Sequence, residues 1–176
     1  DLGAFATLLR KFGEAAARRE ADELVSILVT PGNVDSAALF STDRSSLITT
    51  SALALGTLSA AVAALRLQTE DGQLVAQEPG YLIVPAALET TARQLMGQGY
   101  NPNTAATVNP YSTLQVIVEP RLDAASATTW YLAAANQSAL EYGYLDGAEG
   151  VQISQQEGFE VDGLQLIRGK FLDGLA

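Results

Sequence analysis

The sequence predicts an α+β protein in which helices lie early in the chain and strands follow them. Apolar residues recur at three- and four-residue steps over the first part of the chain, a spacing typical of an amphipathic helix. Later, short apolar runs are bounded by glycine, proline and asparagine, as is typical of strands. No repeat of fixed period and no low-complexity linker divides the chain, so we expect a mixed or antiparallel sheet.

The first element is a long amphipathic helix over residues 1–30. Its alanine, arginine and glutamate content favours helix, and Pro31-Gly32-Asn33 ends it. At 1.5 Å per residue such a helix is about 42 Å long, more than a compact domain of this size needs. We therefore expect a spine on which other elements are built. Its inward stripe comprises Phe5, Leu8, Leu9, Phe12, Ala16, Leu24, Ile27 and Leu28.

Two further helices are predicted after a polar, irregular segment at residues 31–56. Thr57 is the expected N-cap of the second helix, which runs to about residue 70 before the Asp71-Gly72 turn. The third helix begins with Pro85, a favoured first residue, and spans Ala86 to Met96.

Strands are predicted from short apolar runs between turn residues. Three of them are apolar at nearly every position, so we expect them to form one sheet, with the second and third helices packed on it and both faces covered. These three strands are Tyr81–Val84, Leu114–Val118 and Thr129–Ala133. Further strands are predicted at Leu140–Leu145, Val151–Ile153 and Gly163–Arg168.

Composition excludes several classes of function. The 176 residues contain no cysteine and no histidine, which rules out disulfides, thiolate or imidazole metal sites and Ser-His-Asp triads. The net charge of −10 argues against tight binding to nucleic acid or to anionic membranes. No apolar run reaches the roughly 18 residues of a membrane span.

The remaining candidate sites each have a structural interpretation that we prefer. Asp146-Gly147-Ala148-Glu149 lacks the alternating ligands of a calcium loop and reads as a turn. Glu157 and Glu160 could serve a glycosidase, but no second acidic pair faces them. Arg121 could hold an anion, although an ion pair with Glu119 is the preferred interpretation.

Trp130-Tyr131 is expected to lie half in the core and half at an interface rather than in a ligand cage. The sequence therefore predicts no catalytic residue, no cofactor-binding residue, no metal ligand and no enzyme. The profile is that of a structural or assembly protein.

Many short stretches together resemble the core of Mu-like phage and prophage major head proteins. The resemblance begins with Asp1-Leu2-Gly3-Ala4-Phe5 and Gly13-Glu14-Ala15-Ala16-Ala17-Arg18. Each stretch is short, but they agree in order and spacing over nearly the whole chain. The others are Ala38–Ser41, Leu58–Ala61, Leu67–Gly72, Pro79–Pro85, Leu88-Glu89, Ala92-Arg93, Val108–Tyr111, Val116–Asp123, Thr129–Ala133, Leu145–Gly147 and Gly158–Gly163.

This resemblance implies the Hong Kong 97-type capsid fold, with a peripheral domain on a long spine helix and an axial domain at the capsomer axis. Mapped onto this chain, residues 1–56 and 147–176 are peripheral and residues 57–146 are axial. The resemblance implies a major capsid protein that forms the hexamers and pentamers of an icosahedral shell. The shell would enclose double-stranded DNA without binding it tightly. A scaffold or prohead protease would assist assembly in the bacterial host cytoplasm, and the product would be the virion capsid.

The sequence also departs from this family. Asp43-Arg44-Ser45-Ser46 stands where a His-Gly-Asn-like run is common, and Gly169–Asp173 replaces an Asp-Phe-Gly-like turn. The resemblance implies a core fragment without the N-terminal arm and extended loop, and such a fragment would be monomeric or weakly associated. Two alternatives remain: an encapsulin-like nanocompartment shell with the same fold, or an acidic calcium-binding or carboxylate-enzyme domain that uses residues 141–162.

Overall fold

A computed structural model describes residues 2–30, 39–41, 46–47, 52–97, 109–137, 152–157 and 164–170. The chain divides into two compact units, one formed by Asp1–Leu24 with Leu140–Ala176 and the other by Val25–Ala139. The helices are α1 (Leu2–Val29), α2 (Leu55–Arg66), α3 (Glu89–Met96) and α4 (Leu122–Ala125), with a 3₁₀ turn at Ala86–Leu88 before α3. The strands are β1 (Thr69–Glu70), β2 (Gln73–Leu74), β3 (Pro79–Val84), β4 (Gln115–Val118), β5 (Tyr131–Ala134), β6 (Gln152–Glu157) and β7 (Leu164–Lys170).

The long first helix is confirmed. Helix α1 runs for 28 residues without a break, and Gly13 lies inside it. Ion pairs one turn apart support its polar side, among them Arg10 with Glu14 at 3.7 Å and Arg19 with Glu23. Phe12, expected on the inward stripe, is partly exposed. The side chains of Phe5, Leu8 and Leu9 lie outside the described part of the chain.

The strands predicted at Tyr81–Val84, Leu114–Val118 and Thr129–Ala133 do form one sheet. Its order is β4-β3-β5, with β4 parallel and β5 antiparallel to the central strand β3. Leu82 and Val84 of β3 are fully buried, and they share one hydrophobic cluster with Leu58 of α2 and Leu95 of α3. The two helices therefore pack on the sheet face that carries Leu82 and Val84.

The expectation that both faces of this sheet are covered is wrong for the described residues. Because side chains alternate along a strand, Ile83 points to the face opposite Leu82, as does its register partner Ile117. Ile117 is 38% exposed and Ile83 is only partly buried. Helices α2 and α3 both cover the same face of the sheet. The strands are therefore buried on one face only, although they are apolar at nearly every position.

The second helix also differs from its prediction at both ends. It begins at Leu55, so Thr57 is its third residue and not its N-cap. The Thr57 hydroxyl accepts a hydrogen bond from the backbone N–H of Ala54 at 3.0 Å and donates one to the Ala52 carbonyl at 2.7 Å. The helix ends at Arg66, and residues 69–74 form the β1–β2 hairpin in place of a last helical turn.

The turn of that hairpin has left-handed backbone at Asp71 (φ 49°) and Gly72 (φ 77°). Two consecutive positive φ angles are the conformation of a tight hairpin turn, and Asp-Gly is a favoured pair there. This geometry explains why the chain reverses at residue 71 after leaving helix α2.

Near the C-terminus, β6 and β7 pair as an antiparallel hairpin. They confirm the strands predicted at Val151–Ile153 and Gly163–Arg168, with somewhat longer bounds. The strand predicted at Leu140–Leu145 and the Asp146–Glu149 turn lie outside the described residues, as does Glu160. Glu157 is the last residue of β6.

Candidate functional site

The polar side chains of the Val25–Ala139 unit hold its loops to its helices. The carboxylate of Asp123 in α4 accepts hydrogen bonds from the backbone N–H groups of Ala86 at 2.7 Å and Ala87 at 3.1 Å. Those N–H groups begin the 3₁₀ turn that leads into α3, where donors have no partner within the helix. Asp123 therefore caps a helix start that lies 37 residues earlier in the chain.

Asn109 fixes the other end of the same helix. It is only 3% exposed, and its amide group donates to the backbone carbonyls of Leu95 and Gly97. Its side-chain oxygen accepts the N–H of Tyr111 at 3.0 Å. One buried side chain thus satisfies two carbonyls at the C-terminal end of α3 and one N–H of the following turn.

A third polar set extends the pairing of β3 with β5 beyond the strands. The N–H of Ala135 donates to the Glu78 carbonyl at 2.7 Å, and the Glu78 N–H donates to the Asn136 side-chain oxygen at 3.0 Å. Gly80 lies at a register shift in this ladder, where a Cβ atom would be 2.5 Å from the Cβ of Ala135. The two segments approach so closely that only glycine fits at residue 80.

The structure confirms the ion pair predicted for Arg121, and it shows the core contact predicted for Trp130. Arg121 Nη1 lies 3.0 Å from Glu119 Oε1, so the predicted ion pair is formed. Trp130 packs against the hydrophobic cluster, while the ring of Tyr131 lies 5.0 Å from the ring of Phe40. Burial raises the pKa of Tyr131 above its usual value.

The sequence did not single out Asn109, Asp123 or Gly80. Only weak signals were present, such as the Asn-Pro-Tyr sequence at residue 109 and the proline that precedes the 3₁₀ turn. In the described part of the chain, no three acidic side chains gather into a candidate cation site. None of the helices described there has the length and apolar character needed to cross a bilayer.

The most exposed apolar feature among the described residues is the β1–β2 hairpin. Leu67 at its base is 70% exposed and Leu74 on β2 is 59% exposed, more than any other large hydrophobic residue described. Singly exposed leucines are normal on protein surfaces and do not by themselves mark a binding site.

Comparison with protein families identifies one match. The model of a family described as phage capsid protein matches residues 1–171, which is nearly the whole chain. Comparison with curated proteins finds no match. Comparison with solved structures finds none either.

Proposed function

Because this chain belongs to the phage capsid protein family, we propose that it is the major head protein of a tailed phage or prophage of the Mu-like type. The family match over residues 1–171 carries the proposal, since it spans both compact units. In this role the protein is a structural subunit of the virion shell and not an enzyme.

The architecture of the described residues supports a Hong Kong 97-type fold for this head protein. A 28-residue helix opens the chain, as the spine helix of that fold requires, and a mixed three-stranded sheet with two helices follows. We assign residues 1–56 and 147–176 to the peripheral domain and residues 57–146 to the axial domain. The compact unit Val25–Ala139 contains most of the proposed axial domain.

The charge of the chain suits a shell that encloses DNA. With 20 acidic and 10 basic residues, a copy of the chain repels phosphates at long range instead of binding them. Subunits would join as hexamers and pentamers, aided by a scaffold or a prohead protease in the host cytoplasm. Each contact between subunits would be modest, and closure by symmetry would make the whole shell stable.

Electron microscopy of the protein produced from its complete coding sequence tests this function. We expect capsomers or closed shells when the protein is produced alone or with its scaffold. Particles that contain DNA support a phage head, whereas particles that contain a co-purified protein cargo and no DNA would support the nanocompartment alternative. A protein that forms neither rings nor shells under any of these conditions would contradict the proposal.

A further inference from the structure

The central sheet has a second apolar face, opposite the one that helices α2 and α3 cover. The strand register places Ile83 of β3 beside Ile117 of β4 and Tyr131 of β5, so these three side chains share one face. None of the three belongs to the hydrophobic cluster on the other face, to which their chain neighbours Leu82 and Leu132 contribute. We call the surface of Ile83, Ile117 and Tyr131 the open face.

Phe40 lies on the Tyr131 side of the open face. It is the only aromatic residue between residues 31 and 56. Its ring centroid is 5.0 Å from that of Tyr131, with the two ring planes tilted by 42°, which is within the range of favourable aromatic pairs. Burial of Tyr131 raises the pKa of its phenol, in agreement with a covered ring. A segment remote in sequence therefore covers part of the face that neither α2 nor α3 reaches.

Ser46 holds the backbone on both sides of Phe40. Its hydroxyl donates a hydrogen bond to the Leu39 carbonyl at 3.0 Å and accepts one from the Ser41 N–H at 3.1 Å. Its own N–H donates to the Ser41 carbonyl at 3.2 Å. Because Leu39 and Ser41 are the chain neighbours of Phe40, one serine fixes the backbone that presents the Phe40 ring.

We propose that residues 39–41 are a strap, latched by Ser46, that opens to expose the open face of the sheet. One aromatic contact and the hydrogen bonds of one serine hold the strap, so opening it costs less than unfolding the whole unit. When Phe40 lifts, the Tyr131 ring joins Ile83 and Ile117, which is already 38% exposed, in one apolar surface. The strap thereby sets how much apolar surface the sheet presents, a role that goes beyond that of a shell subunit.

Oxidation of tyrosine side chains by hydroxyl radicals, measured residue by residue with mass spectrometry, tests the latch on the whole chain. Ser46→Ala removes the latch hydroxyl, so we expect the oxidation rate of Tyr131 to rise about twofold or more. Ser46→Thr keeps a hydroxyl and should stay close to the original rate. Ser59→Ala, at an exposed serine of α2, is the matched control and should leave the Tyr131 rate unchanged.

Tyr111 is the internal reference for this experiment. It packs against the hydrophobic cluster on the other face, so opening of the strap should leave its oxidation rate unchanged, whereas unfolding of the unit should raise it. An unchanged Tyr131 rate in Ser46→Ala would overturn the proposal. An equal rise at Tyr111 and Tyr131 would overturn it too, because Ser46 would then support the whole unit and not a separate strap.

Binding of the dye anilinonaphthalene sulfonate measures the apolar surface that the strap covers. Phe40→Ala should raise the fluorescence of the bound dye about twofold or more, and adding Ile117→Ser should remove that rise. Adding Leu74→Ser instead, at an exposed leucine outside the open face, should leave the rise in place. No rise in Phe40→Ala, or a rise that survives Ile117→Ser, would overturn the proposal.

These measurements do not depend on assembly. A negative result would remove the strap and leave the proposed capsid function standing. A chain whose strap opens as expected, but which forms no capsomer or shell, would keep the strap and lose the capsid function.

Discussion

Replacing Asn109 with leucine should destabilise the Val25–Ala139 unit strongly. Leucine has the same branched skeleton as asparagine but bulkier terminal methyl groups, so the change removes the hydrogen bonds and also crowds a buried site. Two carbonyls, of Leu95 and Gly97, and the N–H of Tyr111 would lose their partner at a site that is 3% exposed. Each lost bond costs about 0.5–1.5 kcal/mol, so we expect a total loss of about 2–4 kcal/mol.

The assay is urea denaturation followed by intrinsic fluorescence. The chain has one tryptophan, Trp130, and it packs against the hydrophobic cluster of this unit, so its emission reports unfolding of the region that Asn109 supports. With a urea dependence of about 1–2 kcal/mol per molar, the midpoint should fall by roughly 2 M with an unchanged slope.

Asn136→Leu is the matched control. Asn136 also accepts a backbone hydrogen bond, from Glu78 at 3.0 Å, but its side chain is exposed and water can replace the lost partner. The Asn136→Leu substitution should lower the free energy of unfolding by less than about 1 kcal/mol. If Asn109→Leu lowers the free energy of unfolding no more than Asn136→Leu does, the buried hydrogen bonds of Asn109 do not stabilise the end of α3, and the reasoning is refuted.

Three further outcomes follow from the same structure. Gly80→Ala should lower the melting temperature, because its Cβ would lie 2.5 Å from a side-chain atom and 3.0 Å from a backbone atom of Ala135. Gly56→Ala in α2 is the control: its Cβ meets nothing within 4 Å, so this variant should raise the melting temperature slightly, and calorimetry compares the two. Asp123→Ala should cost about 1–2 kcal/mol in urea denaturation because two backbone N–H groups lose their acceptor, and Asp123→Asn should recover part of that loss. Burial raises the pKa of Tyr131, so the contribution of the Tyr131 phenol to folding stability should be complete below about pH 10.0 and be lost as the pH rises through the pKa of Tyr131 in the folded protein. Phenolate absorbance, with Tyr131→Phe as the control, measures this titration. A Tyr131 titration that matches that of the unfolded chain would contradict the prediction.

Local sequence determined the elements whose pattern is periodic and long. The 28-residue helix α1 was predictable because its alanine, arginine and glutamate content and its three- and four-residue apolar steps act within a few residues of one another. The three strands of the central sheet were predictable for the same reason, since each is a short apolar run between turn residues. The hairpin after α2 was missed because its strands are only two residues long and Leu67 to Leu74 carries no alternating pattern.

The sequence by itself therefore determined the long first helix and the three strands of the central sheet, and its linear similarity pointed to a phage capsid protein, the family that residues 1–171 match. Only the tertiary structure decided that Asp123 caps a turn 37 residues away, that Asn109 closes the end of α3, and that Gly80 meets Ala135. It also decided which face of the sheet is buried. The physical reason is distance along the chain: periodicity reflects neighbours within one or two turns, whereas capping, close approach and burial depend on which remote segments pack together.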